Sequence, residues 1–242
     1  MKLSDLVQTT RQNKPPRIVL HGIQKIGKST WGAGAPSPIF IQAEDGLTEI
    51  TVPHFPVATT LSEFFDYMKM LIDEENQYQT VVIDTVDWLE KLIWKSVCED
   101  NKVTSIEQIG YGKGYQFAMT HWDKFFNGLD LLRAKDMAIV VLAHNEIKTY
   151  SPPDGDPYDR FQIKLHKTAA AKLEEWADVI LFAGYNVIVN SKSKKAVNAD
   201  AERMIYTTNR PAWRAGSRYK LPDTLPMEFS ALLNAIKNNK GE

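Results

Sequence analysis

An apolar run from Arg17 to His21, entered from Pro15 and Pro16, leads directly into Gly22-Ile23-Gln24-Lys25-Ile26-Gly27-Lys28-Ser29, a complete G-x-x-x-x-G-K-[ST]. No other segment restricts the fold as much. The motif makes chemical sense only between a buried strand and the start of a helix, where two glycines let the backbone curl so that successive N–H groups face an oxyanion. It predicts a strand–loop–helix unit cradling a phosphate chain with residues 22–29 and the following Thr30. Lys28 then reaches the β- and γ-phosphates, and the Ser29 hydroxyl is placed to ligate Mg²⁺.

The rest of the chain repeats that unit. Pro38 to Ile41, Thr80 to Asp84, Met137 to Ala143 and Val179 to Ala183 are short apolar runs of strand length. Between them, Thr60 and Glu63 form a capping box ahead of a helix with Phe64, Phe65, Met68, Leu71 and Ile72 on one face. The segments Val86–Cys98 and Gln116–Arg133 also carry helical periodicity, as do the stretch beginning Leu165-His166-Lys167 and the final Glu228–Lys237. Apolar strands alternating with amphipathic helices imply an α/β domain with a mostly parallel central sheet and helices on both faces. We expect one domain over 1–242, with an N-terminal segment at 1–16. The segment Asn186–Thr208 reads as a β-hairpin extension near the C-terminus, within a basic flank spanning 186–220. Residues 145–164, with three prolines, read as a long functional loop.

Composition excludes several classes. The 29 basic and 30 acidic side chains leave a net charge of −1, so anion binding has to come from local geometry. The lone Cys98 permits neither an intrachain disulfide nor a cysteine zinc site and reads as an ordinary helix residue. No apolar run approaches the ~20 residues of a membrane span, so the expectation is a cytoplasmic protein without a membrane partner.

A phosphate loop needs a second carboxylate on the magnesium side at a neighbouring strand end, and Thr80-Val81-Val82-Ile83 places Asp84 there. The competing role for Asp84 is a helix N-cap; Asp87 reads as a first-turn helix acid. Hydrolysis further needs a group to orient or deprotonate water. Glu44 is available at the end of the second strand, where open parallel sheets gather ligands, with Asp45 as competitor.

The segment Phe40-Ile41-Gln42-Ala43-Glu44-Asp45-Gly46 resembles the strand end of RecA-like recombination ATPases, whose catalytic glutamate would fall on Glu44. The segment Val141-Leu142-Ala143-His144-Asn145-Glu146 resembles their γ-phosphate sensor, on His144. Across most of its length the chain resembles short phage-encoded RecA-like P-loop NTPases that anneal or recombine single strands, often described as AAA-type ATP-binding proteins. That resemblance implies ATP and Mg²⁺ as cofactors, single-stranded DNA as partner, a homo-oligomer in filament or ring form, contact with a single-strand-binding protein and residence in a host cytoplasm. It places DNA contacts on residues 109–115, with Tyr111, Lys113 and Tyr115, and on residues 145–167, with Lys148, Arg160, Lys164 and Lys167. Cations interleaved with aromatic faces suit strand binding without sequence preference.

Residues 190–220 hold eight bases and two acids, whereas 61–101 hold ten acids and three bases. The asymmetry suggests head-to-tail assembly, with Arg214 or Arg218 entering a neighbour's ATP site and Lys194 and Lys195 as further candidates. The expected function is DNA-stimulated, ATP-dependent annealing or recombination. The alternatives are a small-molecule kinase, disfavoured by Arg160 being the only arginine of the Pro-rich segment, and a non-hydrolysing ATP-switched helicase-loading partner. An N-K-x-D base-reading motif is absent, which argues against a GTPase.

Overall fold

The computed structural model describes residues 14–189 and 196–238. Five strands form a parallel core: β1 (Arg17–Gly22), β2 (Pro38–Gln42), β3 (Thr80–Asp84), β4 (Ala138–Tyr150) and β6 (Val179–Val189). Strand β5 (Tyr158–Ile163) pairs antiparallel with β4, while β7 (Ala196–Tyr206), β8 (Gly216–Ser217) and β9 (Thr224–Pro226) add antiparallel pairings beyond β6. The main path runs β2-β3-β4-β1-β6-β7-β9. Parallel neighbours need crossovers, and the helices supply them: α1 (Lys28–Ala33), α2 (Leu61–Asp73), α3 (Val86–Asp100), α4 (Lys113–Ala134) and α5 (Lys167–Trp176), with α6 (Phe229–Asn238) closing the chain.

Period-two alternation along the strands feeds two cores. Val19, Ile41, Ile83 and Val141 face one side with α2, α3, α4 and α5; Leu20, Phe40, Val82 and Leu142 face the other with α1 and α6. Helices thus cover both faces, as the alternation of apolar strands and amphipathic helices predicts. The capping box is present: Thr60 Oγ1 accepts from the Glu63 N–H at 3.2 Å, and Glu63 Oε2 accepts from the Thr60 N–H at 3.3 Å. The Pro-rich segment departs from expectation. Instead of a long loop after His144, β4 continues to Tyr150 and pairs with β5 from Asn145↔Ile163 to Tyr150↔Tyr158, leaving only residues 151–157 as the turn. The alternation Glu146, Lys148, Tyr150 against Ile147 and Thr149 is that of an edge ribbon. The β6–β7 hairpin also forms, with β6 running from Val179 to Val189 through a shift of register between Tyr185 and Val187. Its lysine-rich turn, with Lys194 and Lys195, lies outside the described residues.

Candidate nucleotide cleft

The parallel strands end together, and their register fixes the site: Gly22 sits opposite both His144 and Ala183, and Gln42 opposite Asp84. A Cβ on Gly22 would stand 2.6 Å from the Ala183 carbonyl oxygen, so only glycine lets β1 pass β6 there. Gly27 has φ 105°, the left-handed turn that starts α1. The side chain of Ile26 is fully buried and anchors the loop in the α1–α6 core.

Lys28 is buried, and its ammonium donates to the Gly22 and Ile23 carbonyls, both at 3.1 Å. Burial lowers its pKa, opposed by the charges of Asp84, Asp87 and Glu44. The Ser29 hydroxyl donates to Asp84 Oδ2 at 2.7 Å. Asp84 is 3% exposed, and burial pushes its carboxyl up to about 6, with nearby Glu44 adding and the Ser29 bond and Lys28 opposing. The N-cap of α3 is Thr85, leaving Asp84 for the cleft. A hydroxyl beside a desolvated carboxylate is a donor set suited to Mg²⁺, which takes few protein ligands and fills its shell with water and phosphate. The residues present therefore fit the ion.

Glu44 lies across the cleft, two residues past β2, and accepts from Thr85 Oγ1 at 3.1 Å. The His144 ring meets two acids. Its Nδ1 is 3.0 Å from Asp87 Oδ2 and 3.8 Å from Glu44 Oε2, while its backbone N–H donates to Asp87 Oδ1 at 3.0 Å. Burial raises the Asp87 pKa, but the two bonds from His144 outweigh it and hold the carboxyl below its usual range. Lys28, Ser29, Thr30, Glu44, Asp84 and His144, with Gln24, Lys25, Gly27 and Asp45, line one cleft of about 520 Å³. Asp87 and Thr85 were missed as functional neighbours. A first-turn acid three residues after a strand-end Asp gives no signal of facing a histidine on another strand.

The predicted DNA residues divide. Tyr111 is fully exposed at a left-handed position, and Lys113 is exposed as the first residue of α4, which starts earlier than expected. Tyr115 is not free: its hydroxyl donates to Glu107 at 2.9 Å and its ring stacks on His166 at 4.1 Å. Arg160 is a correction, since it is 6% exposed and bonds Asn209 and, at 3.4 Å, the Trp213 carbonyl. Its guanidinium ties β5 to the 209–213 segment rather than facing a strand. Lys164 and Lys167 are exposed, and Lys148 pairs with Glu146 at 2.7 Å.

Both proposed trans arginines are bound within their own chain. Arg214 Nε and Nη2 each lie 2.9 Å from Glu174 Oε2, and its carbonyl accepts from His21 Nε2 at 2.6 Å. Arg218 binds Asp178 at 3.1 Å beside Arg17 and Arg133, at the start of β1 and so at the opposite sheet end from the cleft. Neither guanidinium can enter a neighbour without breaking these pairs.

Among the described residues no helix is long and apolar enough to cross a membrane. The model of a family described as AAA domain matches residues 14–219. The SPbeta prophage-derived uncharacterized protein YorG of Bacillus subtilis (strain 168) is 22% identical over 222 residues, which cover 88% of this chain and 62% of that protein. Solved structures similar to the chain include the flagellar accessory protein FlaH of Methanocaldococcus jannaschii, at 10% identity, with 88% and 84% of the two chains covered and a TM-score of 0.45. A KaiC-like protein of Pyrococcus horikoshii OT3 is 12% identical, with 88% and 85% covered and a TM-score of 0.43.

Proposed function

Because this chain belongs to the AAA domain family of P-loop ATPases, we propose that it hydrolyses Mg²⁺-ATP in the cleft and couples hydrolysis to handling of single-stranded DNA. The observation that carries the hydrolytic part is the convergence of Lys28, Ser29, Asp84, Glu44 and His144 on one cleft. The loop amides and Lys28 would hold the phosphates, and Ser29 with Asp84 would hold Mg²⁺, which would supply charge neutralisation for the phosphate chain. Glu44 orients or deprotonates the attacking water. Thr85 fixes that carboxylate, and Asp87 fixes the ring of His144 near the terminal phosphate.

The DNA part draws on how the cleft connects to the two candidate segments. Asp87 and Glu90, three apart and so on one face of α3, hold different elements. Asp87 takes His144, while Glu90 accepts the His166 N–H at 3.0 and 3.1 Å; His166 in turn stacks on Tyr115. The base of the β4–β5 ribbon and the start of α4 therefore lean on the helix that feels the cleft. Tyr111, Lys113, Lys164 and Lys167 supply the exposed cations and one aromatic face; Lys148 is paired with Glu146, and Arg160 does not take part. A prophage-derived relative supports a phage origin.

The test is ATP turnover with single-stranded DNA, duplex DNA or none, beside salt-dependent strand binding. The proposal expects hydrolysis stimulated by single strands and binding that weakens with salt. Turnover indifferent to DNA, with phosphate passing to a nucleoside acceptor, would replace it with a kinase.

A further inference from the structure

We propose that Lys25 takes part in hydrolysis from within its own chain: its ammonium meets the negative charge that builds on the leaving diphosphate, the task sought above in a neighbour's arginine. The inference rests on the hydrolytic reading of the cleft. As water adds to the γ-phosphorus its proton passes to Glu44, the bond to the bridging oxygen breaks, and the electron pair stays on that oxygen. A cation placed there lowers the barrier.

The cations around the cleft differ in what they already hold. Lys28 spends two of its three donors on the Gly22 and Ile23 carbonyls. Arg203, from β7, donates to the Ile26 carbonyl at 3.3 Å. Arg214 and Arg218 are held by Glu174 and Asp178. Lys25 is exposed and lines the cleft with Glu44, Asp84 and His144, and among the described residues its ammonium has no hydrogen-bond or ion-pair partner. The cleft also carries the Asp45 carboxylate, so a phosphate chain entering beside three acids needs positive charge beyond that of Lys28. Lys25 can supply it without breaking a pair.

The backbone gives an independent sign. Lys25 has φ 61°, a left-handed conformation that glycine adopts freely and a lysine only at a cost. Among the described residues five other than glycine have positive φ, and Lys25 is the one of them that lines the cleft. Glycine would build the same loop with less strain, so loop shape does not account for a lysine here; a side chain with work in the cleft does. Its neighbour Ile26 is fully buried and pins the loop, which leaves the Lys25 side chain turned outward.

Lys25→Gly is the informative variant, because glycine fits the observed φ and the fold should keep its melting temperature. Calorimetric titration should find Mg²⁺-ATP affinity within about threefold of the unsubstituted protein, while turnover at saturating ATP falls about a hundredfold or more. Trapping of Mg²⁺-ADP with fluoroaluminate, which imitates the phosphoryl group in transfer, should weaken in parallel with turnover, and Lys25→Arg should restore both to within about tenfold. Mixing Lys25→Gly with Lys28→Ala offers each intact phosphate site a neighbour's Lys25, and turnover should not exceed the sum of the separate proteins. Unchanged turnover in Lys25→Gly, equal loss of ATP affinity and turnover, or recovery on mixing would overturn the proposal. Absence of turnover in the unsubstituted protein would instead remove the hydrolytic reading beneath it.

Discussion

The cleft and the β4–β5 ribbon stand at the same end of the sheet, yet predicted residues fared differently in them. In the cleft Lys28, Ser29, Glu44, Asp84 and His144 converge. On the ribbon side Arg160 is buried against Asn209 and Tyr115 is stacked on His166. The difference is one of physical constraint. A phosphate loop dictates backbone shape, and strand ends dictate where carboxylates can meet it. A cation offered to DNA is defined only by having no nearer partner, and tertiary packing decides that.

Substitutions can widen or collapse this contrast. The largest expected effect is from Lys28→Ala, which should lower ATP turnover at least about a hundredfold by removing the cation that meets developing phosphate charge; retained turnover would take the loop out of the chemistry. Next comes pH. The Asp84 carboxyl titrates near 6 in the folded protein, against an ordinary 3.8, because burial disfavours its charge. Mg²⁺ binds the ionised form, so binding releases a proton, and Mg²⁺-ATP affinity should fall as pH drops below about 6, by up to about tenfold per unit. The stability effect has the opposite sign: the folded state holds more protons than the unfolded one between about 4 and 6, so this group's contribution favours folding as pH falls through that window. Asp84→Asn should flatten the affinity profile.

On the ribbon, Arg160→Ala should cost about 1–2 kcal/mol of stability by removing the hydrogen bonds that tie β5 to Asn209 and the Trp213 carbonyl, read as a lowered melting temperature, with strand affinity nearly unchanged. If strand affinity collapsed while melting held, the division drawn here would fail. The smallest effect belongs to Lys164→Ala and Lys167→Ala, each expected to reduce the salt slope of strand binding by about one and affinity a few-fold.

Much of the fold was legible because local rules agreed: the loop at Gly22–Ser29, the capping box at Thr60 and Glu63, and apolar alternation in the strands all imply the same α/β layers. The extension of β4 past His144 was not, since its partner β5 lies beyond the Pro-rich turn and neither strand is apolar throughout. Asp87 looked like any first-turn acid, and only the fold brings it to His144. Arg203 was counted as one more positive charge in a basic flank, whereas the hairpin lays it over Gly27.

In the proposed hydrolysis Glu44 would prepare the water in a cleft that would bind ATP without it. Glu44→Gln keeps size and shape and removes the base. Measured side by side, ATP affinity should stay within about threefold of the unsubstituted protein while turnover falls about a hundredfold or more. Unchanged turnover in Glu44→Gln would contradict the hydrolytic assignment.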